Sequence, residues 1–260
     1  MREGALKPEE VLELVHSAPE HYESVRAAIR YRGDGSVQRE IRERLWRSEA
    51  GRRAFSLSPE EASVPIQHPE PVGPFGWRSR VWHADHYHWR METEVPGGGV
   101  EINACNGQRL LPIGGPPGSG LWWNHRVGAG PPEEEPPWFV LALDHYWNFY
   151  PLLTDEICGI SYELRDLGIR VEGTLRWAGR EAVRLVGVPP VVEQEWDPDP
   201  LRWGADEYEV VVDAERGVLL RCASRLRGED VDALEVENIH FDERFGEEVF
   251  TSREPLLGTS

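Results

Sequence analysis

The chain of 260 residues carries 28 Lys+Arg against 46 Asp+Glu, a formal net charge of −18, and contains 11 tryptophans. Folding at this length buries roughly three quarters of the unfolded surface, so stability requires neither a metal nor a disulfide staple. The acidic balance repels polyphosphates and excludes nucleic-acid binding, while 40% hydrophobic and 28% charged residues exclude a disordered chain.

Pro8, followed by Glu9 and Glu10, opens a helix expected over about residues 8–18, because proline and acids suit a first turn and Val11, Leu12, Leu14 and Val15 form an apolar stripe. The stretch from Val25 alternates around Gly33-Asp34-Gly35, which reads as a hairpin, with a helix from Val37 to Trp46 as the alternative. Val64 to Gly76 is a proline-glycine loop. Two long strands follow, WRSRVWHADHYHWRMETEV and VEINACNGQRLLPI, separated by Gly97-Gly98-Gly99. A central loop and helix insertion is expected over about residues 114–160, with an apolar block from Trp138 to Gly159 that is broken at Pro151. The last third returns to strands: GIRVEGTLRW and REAVRLVGV joined at Ala178-Gly179, then EYEVVVD, GVLLRCASRLRG and DALEVENIHF. The order is a meander with helices grouped apart from it, not an alternating β-α-β chain.

Charge is uneven. Residues 1–57 hold 11 basic and 10 acidic residues, whereas residues 58–260 hold 17 and 36. Six arginines lie between Arg39 and Arg53 with Glu40, Glu43 and Glu49 among them, either a solvated face or a surface for an acidic protein partner. Cys105, Cys158 and Cys222 have no ligand spacing and read as small buried hydrophobes. The opening stretch has no signal-type apolar run, being interrupted by Glu9, Glu10 and Glu13, and the most apolar stretch is cut by Asp144 and His145. No membrane span is expected, and the expected location is cytoplasmic, or periplasmic or extracytoplasmic if the N-terminus was trimmed.

Four stretches taken together resemble the superfamily of LolA-type lipoprotein carriers, LolB-type receptors and RseB-type sensors. They are VWHADHYHWRMETEV, CNGQRLL, GREAVRLVGVP, and the tail from EYEVVVD to EEVF with Asp213, Gly217, Gly228, Phe241, Asp242, Glu243 and Phe250 at its marker positions. The resemblance implies an α+β fold: one domain over 1–260, a strongly curved antiparallel half-barrel (an unclosed β-barrel) with helices covering the concave face. It implies a cavity for a hydrophobic small molecule or acyl chain, or a protein partner in the RseB manner, with no catalytic residue and no cofactor. Trp82, Trp89, Trp122, Trp147 and Phe149 are the candidate cavity walls, since aromatics supply apolar area at low entropic cost; ordinary core packing is the competing reading of each.

Other constellations fall short of chemistry. His83, Asp85, His86 and His88 are the densest set of metal-ligand types, but on a straight strand His86 and His88 face one way and His83 and Asp85 the other; polar residues on a strand bend is the expected reading. Glu133–Glu135 and Glu193–Asp199 lie near Trp138, Trp196 and Trp203 in the manner of a sugar-cleaving carboxylate pair, yet both runs are in Pro-rich loops. Asp144-His145 lacks a nucleophile elbow, and Gly97–Gly99 and Gly114–Gly120 match no phosphate-binding fingerprint.

Overall fold

The computed structural model describes residues 6–49, 73–85, 88–94, 99–109, 120–127, 168–188 and 204–256. Among them are helices α1 (Pro8–His16), α2 (Gly35–Arg47) and α3 (Glu247–Thr251). The strands are β1 (Val25–Asp34), β2 (Pro74–Asp85), β3 (His88–Glu94), β4 (Val100–Arg109), β5 (Gly120–Val127), β6 (Arg170–Trp177), β7 (Arg180–Gly187), β8 (Glu207–Asp213), β9 (Leu219–Leu226) and β10 (Glu229–Phe241). They are hydrogen-bonded in the order β5-β4-β3-β2-β1-β10-β9-β8-β7-β6. Every pair whose register is described is antiparallel. The order is two meanders joined where the first strand lies beside the last, and it has two ends. This is the α+β class and the unclosed antiparallel sheet that the sequence led us to expect. By internal contacts the chain forms two compact units: residues 1–21, 31–76 and 135–235, and residues 22–30, 77–134 and 236–260.

In the first unit, α1 starts as the sequence indicates: Pro8 is in its first turn and the Lys7 backbone N–H donates to Glu10 Oε2 at 3.0 Å. Its apolar stripe buries Val11, Leu12 and Val15. The turn between β8 and β9 fits beneath this helix. Asp213 Oδ1 accepts the N–H groups of Glu215 at 2.9 Å and Arg216 at 2.8 Å, and Gly217 then takes φ +75°. A Cβ on Gly217 would lie 2.1 Å from the carbonyl oxygen of Leu14, so only glycine permits the approach. Two tight hairpins use residues with positive φ at both central positions, Ala178-Gly179 (48° and 79°) and Arg227-Gly228 (56° and 84°), the geometry that matches strand twist.

The choice between a hairpin and a helix after β1 goes to the helix. Asp34 ends the strand and caps α2, its Oδ1 accepting from Ser36 at 2.9 Å and Val37 at 3.3 Å. One face of α2 puts Ile41 against Leu226 and Val231. A buried polar knot fixes the same face, with the Tyr31 hydroxyl and the Gln38 amide both donating to Asp232 Oδ1. All three residues are buried, so each hydrogen bond also avoids the cost of a stranded polar group.

In the second unit, the stretch expected as one long strand from Trp77 to Val95 is a hairpin, β2 and β3, because Asp85 Oδ1 accepts the His88 N–H at 2.9 Å and turns the chain. Strand β5 lies inside the span 114–160 expected as loop and helix; the Trp138–Gly159 block is outside the described residues.

The tail pattern Phe241-Asp242-Glu243…Phe250 has a physical basis in this unit. Asp242 adopts φ +60°, its Oδ1 accepts the Glu23 N–H at 2.8 Å, and its own N–H donates to the Ser24 carbonyl at 2.9 Å. Glu243 receives a bidentate pair from Arg26 at 2.7 and 2.9 Å. The hydrogen bond and charge of Arg26 hold the Glu243 carboxyl below the usual carboxylate range. Phe241 stacks near Tyr22, and Phe250, buried in α3, meets Phe245 and His88 edge-on. These contacts reverse the chain out of β10 and lay α3 on β3 and β4.

Candidate functional site

The register of β2, β3 and β4 sorts the candidate residues onto two faces, since directly opposed residues share a face and neighbours along a strand alternate. Trp89 lies opposite His83 on one side and Cys105 on the other, and Cys105 lies opposite Trp122 of β5. Trp82 lies opposite Arg90, and Arg90 opposite Ala104. Trp82 and Trp89 are therefore on opposite faces and do not form one wall. Trp82 is buried and Trp89 half-buried. Trp147 and Phe149 lie outside the described residues.

The face that carries Trp89 grades from aromatic to polar. Beyond Trp89 come Val81, Met91 and Asn103, then Ser79, Thr93 and Glu101, all of them buried. Ser79 Oγ and Thr93 Oγ1 are hydrogen-bonded across the strands at 2.9 Å, and the Asn103 amide donates to Glu101 at 3.4 Å.

The opposite face carries His88, Arg90 and Glu92. Arg90 is fully buried and paired with Glu92 at 2.7 Å. Three further hydrogen bonds go to main-chain carbonyls of one segment: Val249 at 3.1 Å, Ser252 at 2.6 Å and Glu254 at 2.7 Å. Glu92 Oε1 accepts the Leu256 N–H at 2.8 Å, while Oε2 is buried and makes no hydrogen bond. The sequence reading passed over this pair. Opposite charges two residues apart between Trp89, Met91 and Thr93 were the available signal, because that spacing puts them on one strand face.

Among the described residues the metal-ligand types do not converge. His88 Nδ1 is 2.9 Å from Asp85 Oδ2 at the mouth of the hairpin, His83 is buried, and His86 lies outside the described residues. Among the described residues no group of three His, Cys, Asp or Glu is placed to hold an ion. The acidic runs Glu133–Glu135 and Glu193–Asp199, with Asp144-His145, also lie outside them. Of the arginines read as a solvated face or a partner surface, Arg44 pairs with Asp206 at 3.3 Å and Arg47 with Glu43 at 3.1 Å.

The first unit holds a cluster of ionisable groups with displaced pKa values. Arg221 is buried on β9 and contacts Glu209 at 2.8 Å, Asp230 at 2.6 Å and Glu235. Arg184 and Arg225 also reach Glu209, at 2.5 and 2.8 Å, and the Trp177 ring lies 5.5 Å from the Arg221 guanidinium carbon. Burial alone would push the Glu209 and Asp230 carboxyls up; the Arg221 hydrogen bonds and the neighbouring arginine charges outweigh it and hold both below the usual range. Displaced pKa values of this kind also mark catalytic sites, but here every member answers an opposite charge, which is the pattern of a structural lattice. Cys222, fully buried on the same strand, has its thiol pushed up to about 12 by burial and is inert.

No family profile matches the chain, and no curated protein does. Among solved structures the chain is similar to MucB, a protein also solved with MucA from Pseudomonas aeruginosa: 12% identity over 94% of this chain and 62% of that one, TM-score 0.49. It is similar to the lipoprotein LppX of Mycobacterium tuberculosis, at 11% identity over 92% of this chain and 98% of that one, TM-score 0.38. It is also similar to a LolA superfamily protein from Nitrosomonas europaea, at 9% identity over 95% and 99%, TM-score 0.26. The chain thus spans less than two thirds of the MucB chain. Likenesses this remote bring no family, ligand, partner or site with them. The cytoplasmic expectation is corrected: it rested on how the chain begins, which does not decide a compartment, and the solved structures it is similar to include a lipoprotein and a LolA superfamily protein. Among the described residues no helix is long and apolar enough to cross a membrane.

Proposed function

We propose that the chain is a non-enzymatic binding protein, folded as a single domain over 1–260, that holds a hydrophobic, acyl-like ligand or a lipidated partner. The single-domain reading is supported by the interleaving of the two units, each of which takes three separate stretches of chain. The observation that carries the ligand reading is the register that brings Trp89 and Trp122 to positions flanking Cys105, with Val81 and Met91 next along the same face. Such a face offers rigid apolar area at one end and hydrogen-bonding groups, Ser79, Thr93, Glu101 and Asn103, at the other. That gradient suits an amphiphile with its chain against the aromatics. Trp147 and Phe149, outside the described residues, are further candidates by residue type.

The test is organic extraction of the purified protein followed by mass spectrometry, with titration of fatty acids monitored by tryptophan fluorescence. A bound lipid, and weaker uptake by Trp89→Ala than by Trp82→Phe, is the expected result. A protein that yields no lipid and takes up none is a filled core, and the reading fails.

A further inference from the structure

Both chain neighbours of Trp89 are held by one distant segment. The His88 ring lies 5.7 Å from the ring of the buried Phe250, edge-on. Arg90 donates to the carbonyls of Val249, Ser252 and Glu254, and Glu92 accepts the Leu256 N–H at 2.8 Å. Residues 249–256 thus cross one face of β3 as a strap, while Trp89, Met91 and Thr93 alternate to the other face. A strand is a single layer of main chain, so the peptide groups that carry Trp89 are fixed from behind by contacts at 88, 90 and 92.

The strap is held at few points. Of its side chains only Phe250 is buried, and Thr251, Arg253 and Glu254 are exposed. The rest of its hold is main-chain hydrogen bonding to one ion pair, in which Glu92 Oε2 is buried without a hydrogen bond, a cost of the docked state. Segments with few buried apolar contacts open at lower free energy than the sheet beneath them. Opening withdraws three acceptors from Arg90 and the ring contact from His88, the two residues between which Trp89 sits.

We propose that residues 249–256 are a strap that positions Trp89, so that strap docking on one face of β3 and ligand binding on the other favour each other. This coupling rests on the binding face described under the proposed function and is the regulation of that face. Loosening the strap weakens the hold on the ligand, and a bound ligand tightens the strap by the same factor, because coupling between two equilibria is reciprocal. Phe250, Arg90 and Glu92 are positioning residues in this device and act through Trp89.

The experiment uses the full-length chain with palmitate as the probe. Phe250→Leu loosens the strap with Arg90 and Glu92 in place; Arg90→Met with Glu92→Leu loosens it by a second route and removes both charges together, so that neither is stranded. Each variant should bind palmitate about tenfold more weakly than wild type, and each loss should largely disappear in a Trp89→Phe background, a coupling that general destabilisation does not produce. In wild type, saturating palmitate should slow hydrogen exchange of the Leu256 amide about tenfold and leave α2 unchanged. Acrylamide quenching reads the strap without any ligand: both variants should expose tryptophan relative to wild type, and the difference should vanish once Trp89 is replaced by Phe. If wild type takes up no palmitate, the ligand reading fails and the quenching comparison alone decides the strap. Unchanged quenching in a folded Phe250→Leu variant, affinity losses that simply add to that of Trp89→Phe, or exchange at Leu256 unaffected by bound palmitate would each overturn the proposal.

Discussion

Replacing Arg221 by Met tests the ion-pair lattice of the first unit. Arg221 and Glu209 have side chains only 4% and 6% exposed, so the weak energetics of surface ion pairs do not apply. Removing the guanidinium leaves Glu209 with two partly exposed arginines and leaves Asp230 with Arg225 and the longer, 3.6 Å contact from Arg32. Because both carboxylates keep other arginines, the cost stays below that of a fully stranded buried charge and is about 1.5–3 kcal/mol, that of the lost charged hydrogen bonds. At roughly 2–4 °C per kcal/mol for a chain of this size, the melting midpoint should fall by roughly 3–12 °C. Urea unfolding followed by tryptophan fluorescence at several pH values measures it. The folded-state carboxyls of Glu209 and Asp230 sit below their unfolded values, so their contribution is present at neutral pH and is lost as pH falls through the folded values. Wild type should therefore lose stability below about pH 4.5, and the gap between wild type and Arg221→Met should narrow there, because a protonated carboxyl no longer needs the arginine. A loss below about 1 kcal/mol at pH 7, or a gap that does not shrink on acidification while wild type is still folded, refutes the reasoning.

Two further outcomes are expected. Cys222, with its thiol pushed up to about 12, should resist alkylation at pH 8 in the folded protein and react only with unfolding, as peptide mass spectrometry after iodoacetamide can show; modification at the rate of a free thiol would contradict its burial. Asp242→Asn should be nearly neutral because asparagine tolerates positive φ and keeps an acceptor for the Glu23 N–H, whereas Asp242→Val should cost about 1–3 kcal/mol by thermal or urea melts. Equal stability of the two variants would remove Asp242 from the tail's turning device.

What the sequence determined by itself is local. Pro8 and the acids of the first turn start α1, the Ala178-Gly179 hairpin and the Asp213–Gly217 turn form where the strand alternation stops, and Phe241-Asp242-Glu243 marks the end of β10. These are decided by torsional preference and by hydrogen bonds between residues a few positions apart, which the chain carries in its own order. Even the aromatic positions of β3 and β5 were visible as residue types. Which face each would take was not: once Asp85 turns the chain at the β2–β3 hairpin, the register puts Trp82 and Trp89 on opposite sides.

The tertiary structure alone decided the rest, because the partners are distant in the chain. Asp232 meets Gln38 194 positions away and turns a possible hairpin segment into a docked helix, with Asp34 as its cap. Arg44 finds Asp206 162 positions on, so an arginine run that reads as a partner surface is partly answered within the chain. Arg90, an ordinary strand charge by sequence, is buried because a segment about 160 residues later lays its carbonyls over it. Periodicity tells which residues share a face; only the contacts between distant segments tell which face is covered, and by what.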